Sequence, residues 1–286
     1  MVPELSRRLL EQLSRLSLQG FFGTETAKSA VAYQALDDPI TVCTKFVVDY
    51  YGPQVPSEKE AAWARDYFCQ VLLVVYREAK KVDASLAHDF AASFFKDFRG
   101  QSGSALVTRW NALAEAVHAF RWSLPESNRL LVWQQASRLF LAYNEFLNGL
   151  LGLMIVAWRC GLRMTYRLGV IANSYGSKIQ EFSQLTKGDN GPFYLLFRIT
   201  NSGLRNAIAH GAAWLDVQEA KVRYRHGQHV KADEELGLLE FLALVKLGTH
   251  LAEGYIAALS AIAVVEEGSP EAILQLPRKL RSVLAA

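Results

Sequence analysis

The sequence predicts an all-α protein, a helical bundle with one short β-hairpin near residues 221–231. Of its 286 residues, 51% are hydrophobic and 21% are charged, which is the composition of a globular protein. In most long segments the apolar residues recur every three or four positions, the spacing that buries one face of a helix. Around residues 221–231 apolar and polar residues alternate instead, as they do in a strand. A chain of this length can bury a substantial core, in one large domain or in two smaller ones.

The first half of the chain is predicted to form helices separated by turns. Between Leu5 and Leu18, leucines recur at helical spacing with arginine and glutamate among them. Residues 40–51 are rich in β-branched and aromatic residues, which suit a strand as well as a buried helix. Ser57 followed by Glu60 is a capping-box pattern, which predicts the start of a further helix. The predicted helices cover residues 5–18, 26–36, 57–81, 85–98 and 105–122.

A boundary is predicted at Pro125, because proline suits the first turn of a helix and residues 123–127 resemble a linker. It separates residues 1–124, an N-terminal helical region of unknown role, from residues 125–286, a second helical domain. Within the second region a helix break is expected near Asn201-Ser202-Gly203, and His226-Gly227 is the expected hairpin turn. The predicted helices of this region cover residues 125–160 (as one helix or two), 162–185, 193–213 and 236–265, with a last one starting at Pro270.

Composition narrows the functional classes. The formal charge of +3 permits contact with nucleic acid without arguing for it, because dedicated binders concentrate their basic residues. The three cysteines lie far apart in sequence and form no CxxC pair, so we expect buried, reduced thiols in a cytoplasmic protein. No signal peptide is expected from residues 1–10. The most apolar segment, residues 139–158, is interrupted by polar residues, so a buried helix is favoured over a membrane span.

Several kinds of catalytic or metal site find no support in the sequence. It contains no Gly-rich phosphate loop followed by Lys-Ser/Thr, no GxGxxG, no GxSxG and no HExxH. His226 and His229 could offer two metal ligands, but no third ligand is evident, so no metal or other cofactor is expected. Arg159, Arg163 and Arg167 recur every four residues, which favours a solvated or salt-bridged helix face over a phosphate-binding one.

One short stretch concentrates polar residues on a predicted core helix. It contains Arg205, Asn206 and His210, set among small and apolar residues and followed by Gly211. On a helix, Asn206 and His210 lie four residues apart on one face, and the long Arg205 side chain can reach the same surface. A cation, an amide and an imidazole suit a phosphodiester better than an apolar ligand. The alternative is that these are ordinary surface residues and that His210 helps to end the helix before Gly211.

The sequence Arg205-Asn206-Ala207-Ile208-Ala209-His210 resembles the R-x4-6-H signature of the HEPN superfamily, in which the residue after the arginine is very often asparagine. The resemblance covers at most the C-terminal half. It implies a bundle of about four or five helices with the signature on a late helix. It also implies a metal-independent RNA endonuclease, in the setting of a toxin or an antiviral-defence effector. RNA would be the substrate, with an antitoxin or a defence protein as a further partner.

The chemistry of the three side chains suits RNA cleavage by attack of the 2′-OH on the adjacent phosphorus. Histidine exchanges protons near neutral pH, so His210 can serve as base or acid. Arg205 offers planar donors to phosphate oxygens, while Asn206 can orient the imidazole or donate to the phosphate. One histidine does not comfortably serve as both acid and base in one concerted step. The resemblance to HEPN nucleases implies a two-fold dimer in which both chains contribute to one active site. A homodimer, or a dimer with a related chain, is therefore expected.

Additional RNA contacts are predicted from Lys221, Arg223 and Arg225, which alternate along the expected hairpin close after the motif. An ordinary solvated strand face is the alternative for these three residues. Two other functions stay open for the whole chain. It could be a catalytically silent HEPN-like module that binds RNA, a nucleotide or a partner protein. It could also be a structural helical protein in which the motif arose by chance.

Overall fold

The all-α class is confirmed by the computed structural model, which describes residues 4–18, 21, 36, 38–50, 59–225 and 233–285. Helices α1 to α4 span Glu4–Leu18, Pro39–Tyr50, Lys59–Val82 and Ala84–Ala92. Helices α5 to α9 span Val107–Ser123, Arg129–Gly161, Tyr175–Thr186, Tyr194–Ile199 and Ser202–Ala209. Strands β1 to β3 span Ala213–Asp216, Lys221–Tyr224 and Glu234–Gly237. Helices α10 to α12 span Leu238–Glu267, Pro270–Gln275 and Arg278–Ala285.

The first of two compact units combines Met1–Ser102, Ala157–Tyr166 and Glu253–Ala286. Its helix α1 buries four leucines at helical spacing, namely Leu5, Leu9, Leu13 and Leu16. The backbone N–H groups of Leu5 and Ser6 donate to the Glu267 carboxylate at 2.9 and 3.0 Å, so an acidic side chain caps the positive end of α1. The predicted helix at residues 5–18 is therefore confirmed.

The ambiguous stretch at residues 40–51 forms helix α2. Its start is capped by Asp38, whose carboxylate accepts from the Thr41 N–H at 2.9 Å. The Thr44 hydroxyl donates back to the Ile40 carbonyl at 2.8 Å, which satisfies a polar group that would otherwise be buried alone. Cys43 is fully buried on this helix, and burial raises the pKa of its thiol. All three cysteines are buried and free, as expected.

The second compact unit combines Gly103–Val156 and Arg167–Ala252. Its aromatic core joins α6 to α10, with the Phe241 ring 5.0 Å from Trp133 and 5.5 Å from Phe140 between centroids. Helix α6 begins at Arg129, because the Asn128 side chain accepts from the N–H groups of Leu130 and Leu131.

The expected start of α6 at Pro125 is wrong, because Asn128 supplies the cap three residues later. Pro125 lies in the turn between α5 and α6, and both helices contribute residues to the second unit. The separate roles assigned to residues 1–124 and 125–286 stay predictions.

The predicted helix at residues 162–185 is also wrong over its first half. Helix α6 ends at Gly161, and Arg163 follows with a left-handed backbone at φ +56°. A short 3-10 turn at Leu168–Ala172 comes next, and the α-helix begins only at Tyr175. Arg159, Arg163 and Arg167 therefore do not share one helix face.

The predicted β-hairpin is confirmed as an antiparallel pair of strands, and a third strand joins it. Strands β2 and β3 pair antiparallel with Lys221 opposite Gly237, while β1 pairs with the other edge of β2, with Ala213 opposite Tyr224. Residues 212–213, predicted as helix, therefore lead into and begin β1. The expected turn at His226-Gly227 lies outside the described residues, as do the Ser57 cap and nearly all of the predicted helix at residues 26–36.

Helices α6 and α10 are long and apolar enough to cross a membrane. In their most apolar windows, 72% and 94% of the residues respectively are buried inside the protein. Membrane spans and the core helices of folded domains share this composition. The cytoplasmic location stays a prediction.

Candidate active site

Helix α9 carries the Arg-Asn-x-x-x-His stretch and is closed at both ends by its own sequence. At its start, the Asn201 side chain accepts from the Leu204 N–H at 2.9 Å. At its end, Gly211 adopts φ +70°, and the Ala212 N–H donates to the Ala207 carbonyl at 2.7 Å. A second bond at 3.2 Å, from the Gly211 N–H to the Ile208 carbonyl, completes a Schellman motif. The helix break expected near residues 201–203 is thus present, directly before α9.

Burial of one side of α9 determines which residues reach solvent. Leu204 and Ala207, three residues apart, are buried, whereas Asn206 and His210 are exposed and Arg205 is partly exposed. The predicted site residues therefore lie on or near the outer surface of one short helix, with His210 at its C-terminal cap. The convergence of their three side chains on one phosphate stays a prediction.

Arg205 is held on two sides. Its Nη2 forms an ion pair with Glu145 of helix α6, and its Nη1 donates to the Asn206 side-chain oxygen at 2.8 Å. The Arg205 side chain is 25% exposed and that of Glu145 is 43% exposed, so the pair lies at the protein surface. A guanidinium held in this way is pre-oriented, but a phosphate that binds it must compete with a carboxylate.

The Asn206 side-chain oxygen accepts from Arg205, so Asn206 orients the cation in this structure. The roles expected for Asn206, orienting the imidazole or donating to a phosphate, stay predictions. His210 is linked to Asn206 through the backbone, where its N–H donates to the Asn206 carbonyl at 3.0 Å. Among the described residues, no hydrogen-bond partner orients the exposed imidazole.

A buried polar cluster near Arg205 was not predicted from the sequence. The Tyr175 hydroxyl donates to the Asn144 side-chain oxygen at 2.8 Å, and the Lys178 ammonium donates to both oxygens of Asn148 at 2.9 Å. Burial raises the pKa of Tyr175, which Arg205 lowers and Glu145 raises to smaller extents. The available signal was the run of polar residues at 144, 145 and 148 within the apolar helix α6.

The strand β2 has the alternation predicted for it. Val222 and Tyr224 are buried, while Lys221, Arg223 and Arg225 lie on the opposite, more exposed side. Each cation has an acidic partner: Lys221 lies 2.7 Å from Glu235, Arg223 lies 2.8 Å from Glu219, and Arg225 pairs with Asp233. The hydrogen bond with Glu235 raises the pKa of Lys221, and this ion pair is exposed. The face is therefore balanced in charge rather than strongly basic.

An exposed tryptophan lies on this same face. Trp214 of β1 is directly opposite Arg223 in the register, and its side of the sheet carries the three cations. It is 39% exposed, and the Arg225 guanidinium lies 5.7 Å from its ring centroid. Trp214 was not predicted from the sequence, because the residues at the start of β1 have a pattern that favours the end of a helix.

The described residues contain no group of three His, Cys, Asp or Glu side chains able to hold a metal ion. His226 and His229, the pair considered as metal ligands, lie outside those residues. Neither a protein-family model nor a curated protein nor a solved structure matches this chain. Only the residues of the site itself therefore indicate a function.

Proposed function

We propose that the protein is a metal-independent RNA endonuclease of the HEPN type, acting as a toxin or antiviral-defence effector. The observation that supports this best is the outer surface of α9, where Arg205 and Asn206 are hydrogen-bonded and His210 is open to solvent. Phosphodiester cleavage without a metal requires positive charge, a proton acceptor and a proton donor, and this helix supplies a fixed cation and one accessible proton-transfer group.

The proposed reaction is an internal transesterification of RNA. The 2′-oxygen attacks the adjacent phosphorus as its proton passes to a base, and the P–O5′ bond breaks as the 5′-oxygen receives a proton. The products are a 2′,3′-cyclic phosphate and a free 5′-OH. His210 performs one of the two proton transfers, and Arg205 stabilises the negative charge that builds up on the phosphorane oxygens.

The second proton transfer comes from a second copy of the site. One imidazole cannot accept and donate a proton in the same concerted step, and no side chain among the described residues is hydrogen-bonded to it to share the task. A two-fold dimer that brings two α9 surfaces together supplies a second His210 and a second Arg205. RNA-dependent or constitutive dimerisation is therefore part of the proposal.

RNA outside the reacting phosphate is proposed to lie along the outer face of the small sheet. Trp214 offers a stacking surface for a base, as exposed aromatic residues do in single-strand binders. Lys221, Arg223 and Arg225 offer cations whose present partners are exposed carboxylates, and exposed ion pairs are weak. Phosphates can therefore replace those carboxylates.

A non-catalytic HEPN-like module that binds RNA, a nucleotide or a partner is the second candidate. Two observations favour it: the ion pair between Arg205 and Glu145, and the absence of an orienting partner for His210 among the described residues. Such a module would retain RNA without cutting it.

The test compares the wild type with His210→Ala and Arg205→Ala on structured RNA in EDTA. We expect each substitution to reduce cleavage by a factor on the order of 10² or more, with circular dichroism unchanged. His88→Ala, which removes an exposed histidine from α4, is the matched control and should cleave like the wild type. Cleavage that survives both site substitutions would rule out this site. Retention of RNA without cleavage by the wild type would establish the binding module instead.

A further inference from the structure

Lys178 of helix α7 is an unusually placed lysine. It is only 4% exposed, and its ammonium donates to the backbone and side-chain oxygens of Asn148, both at 2.9 Å. A buried ammonium is costly unless nearby groups compensate for the lost water. Burial lowers the pKa of Lys178 to about 8, Arg109 lowers it as well, and Glu145 acts in the opposite direction.

Lys178 and Arg205 approach the same stretch of helix α6, which carries the Glu145 carboxylate. Glu145 and Asn148 are three residues apart on α6, so they project from the same side of that helix. Arg205 approaches Glu145 from α9 and pairs with it, and Lys178 approaches from α7 while bonded to Asn148. The same carboxylate stabilises the charged form of Lys178. Two cations on separate helices are thus coupled through Glu145.

The Glu145 carboxylate affects how strongly Arg205 can attract a phosphate. If Glu145 faced Arg205 alone, the two formal charges would cancel and the carboxylate would be a full competitor for the guanidinium. With the Lys178 charge nearby, the three groups carry a net positive charge, and the electrostatic attraction of Glu145 acts on two cations instead of one. A phosphodiester therefore meets a cationic site rather than a neutral ion pair.

We propose that Lys178 is a positioning residue of the Arg205 site, which acts through Glu145 to keep the guanidinium available to an RNA phosphate. This inference rests on the proposed function, because it assigns RNA as the ligand of Arg205. Among the described residues, the charged groups that act on Lys178 are Arg109 from α5 and Glu145 from α6, and Tyr175 lies one turn earlier on α7. Lys178 does not touch the substrate.

The experiment measures binding of a short 2′-O-methyl RNA, which cannot be cleaved through its 2′-oxygen, by fluorescence anisotropy at pH 7. Lys178→Met keeps an unbranched side chain that is one atom shorter and removes the charge, and we expect it to weaken binding about tenfold. The double variant Lys178→Met/Glu145→Gln should return to about wild-type affinity, because the competing carboxylate is gone. Lys246→Met removes an exposed lysine from α10 and controls for the loss of one positive charge.

A lysine that only supports packing would give a different pattern, since removing Glu145 would not rescue its loss. Equal binding by the wild type and Lys178→Met, or a double variant as weak as the single one, overturns the role of Lys178 and leaves the proposed function standing. Glu145→Gln alone, at a surface position, should bind at least as tightly as the wild type, and weaker binding also overturns the inference. A wild type that binds no RNA overturns the proposed function, and the role of Lys178 with it.

Discussion

Gly248 lies inside helix α10, where alanine is normally favoured over glycine. Its surroundings nevertheless leave no room for a side chain. A Cβ at this position would lie 2.3 Å from Cδ1 and 2.7 Å from Cε1 of the Tyr143 ring. Tyr143 is fully buried, and its hydroxyl donates to the Ile199 carbonyl at 3.1 Å, two residues before the cap of α9. Gly248→Ala must therefore displace an aromatic ring that supports the segment leading into the candidate site.

The change in the free energy of unfolding caused by Gly248→Ala is the sum of one stabilising and two destabilising contributions. Alanine is favoured over glycine inside a helix by about 1 kcal/mol. Overpacking a well-packed core costs about 1–3 kcal/mol, and loss of the bond between Tyr143 and Ile199 costs about 1 kcal/mol more. The free energy of unfolding should therefore fall by roughly 1–3 kcal/mol. For a domain of about 150 residues, a loss near the middle of this range lowers Tm by about 4–8 °C.

Thermal melts followed by circular dichroism measure this effect, with Gly176→Ala as the matched control. Gly176 lies in α7, and a Cβ there would meet no atom within 4 Å, so alanine should raise the free energy of unfolding by about 0.5–1 kcal/mol. Opposite shifts of Tm in the two variants are expected. A Gly248→Ala variant as stable as the wild type would refute the packing described around Tyr143.

Three further predictions concern the cap, the buried lysine and the exposed tryptophan. Asn201→Ala should cost about 1 kcal/mol of stability and reduce RNA cleavage by loosening α9, whereas unchanged melting would contradict its role as the cap. The pKa of Lys178 is lowered to about 8 in the folded protein, so between pH 8 and 10 the unfolded chain binds more protons than the folded one. The free energy of unfolding of the wild type should therefore rise with pH, relative to that of Lys178→Met, by about 1 kcal/mol per pH unit. Denaturant titrations at several pH values measure this difference, and a difference that does not change with pH would contradict the lowered pKa. Trp214→Ala should weaken RNA binding by about 1–3 kcal/mol in the anisotropy assay, while Trp122→Ala, which removes another exposed tryptophan, should not; equal effects would argue against stacking.

Regular periodicity made much of the fold predictable. The leucine spacing of α1 and the long apolar helices α6 and α10 follow from residues that repeat within the element itself. The exposed side of β2 was also predictable from the sequence, because Val222 and Tyr224 alternate with the basic residues of that strand. These elements are encoded locally, so a local pattern suffices to find them.

The errors occurred where short segments or single residues decide the structure. The left-handed turn at Arg163 interrupts a sequence that otherwise looks helical, and arginine gives no signal for that backbone. Strand β1 has only four residues and exists because β2 pairs with it, so its own composition could not reveal it. The Asn128 cap shows the same limit, because Pro125 was the more conspicuous signal.

The candidate site shows the same distinction between local and distant information. Arg205, Asn206 and His210 come from six consecutive residues, so their common helix was predictable. The partner of Arg205 is Glu145, 60 residues earlier in the chain, and no spacing rule connects them. Periodicity could indicate that α6 carries polar residues but not which helix they meet.

The most direct test of the central claim uses the chemistry of the cut ends. An all-ribose RNA is incubated with the protein in EDTA, beside the same RNA carrying one 2′-deoxy residue immediately 5′ of the scissile phosphate. If attack by the 2′-OH is the reaction, the ribose strand yields a 2′,3′-cyclic phosphate and a 5′-OH, and the modified strand stays intact at that position. Cleavage at the 2′-deoxy position, or ends carrying a 5′-phosphate and a 3′-OH, would contradict the account.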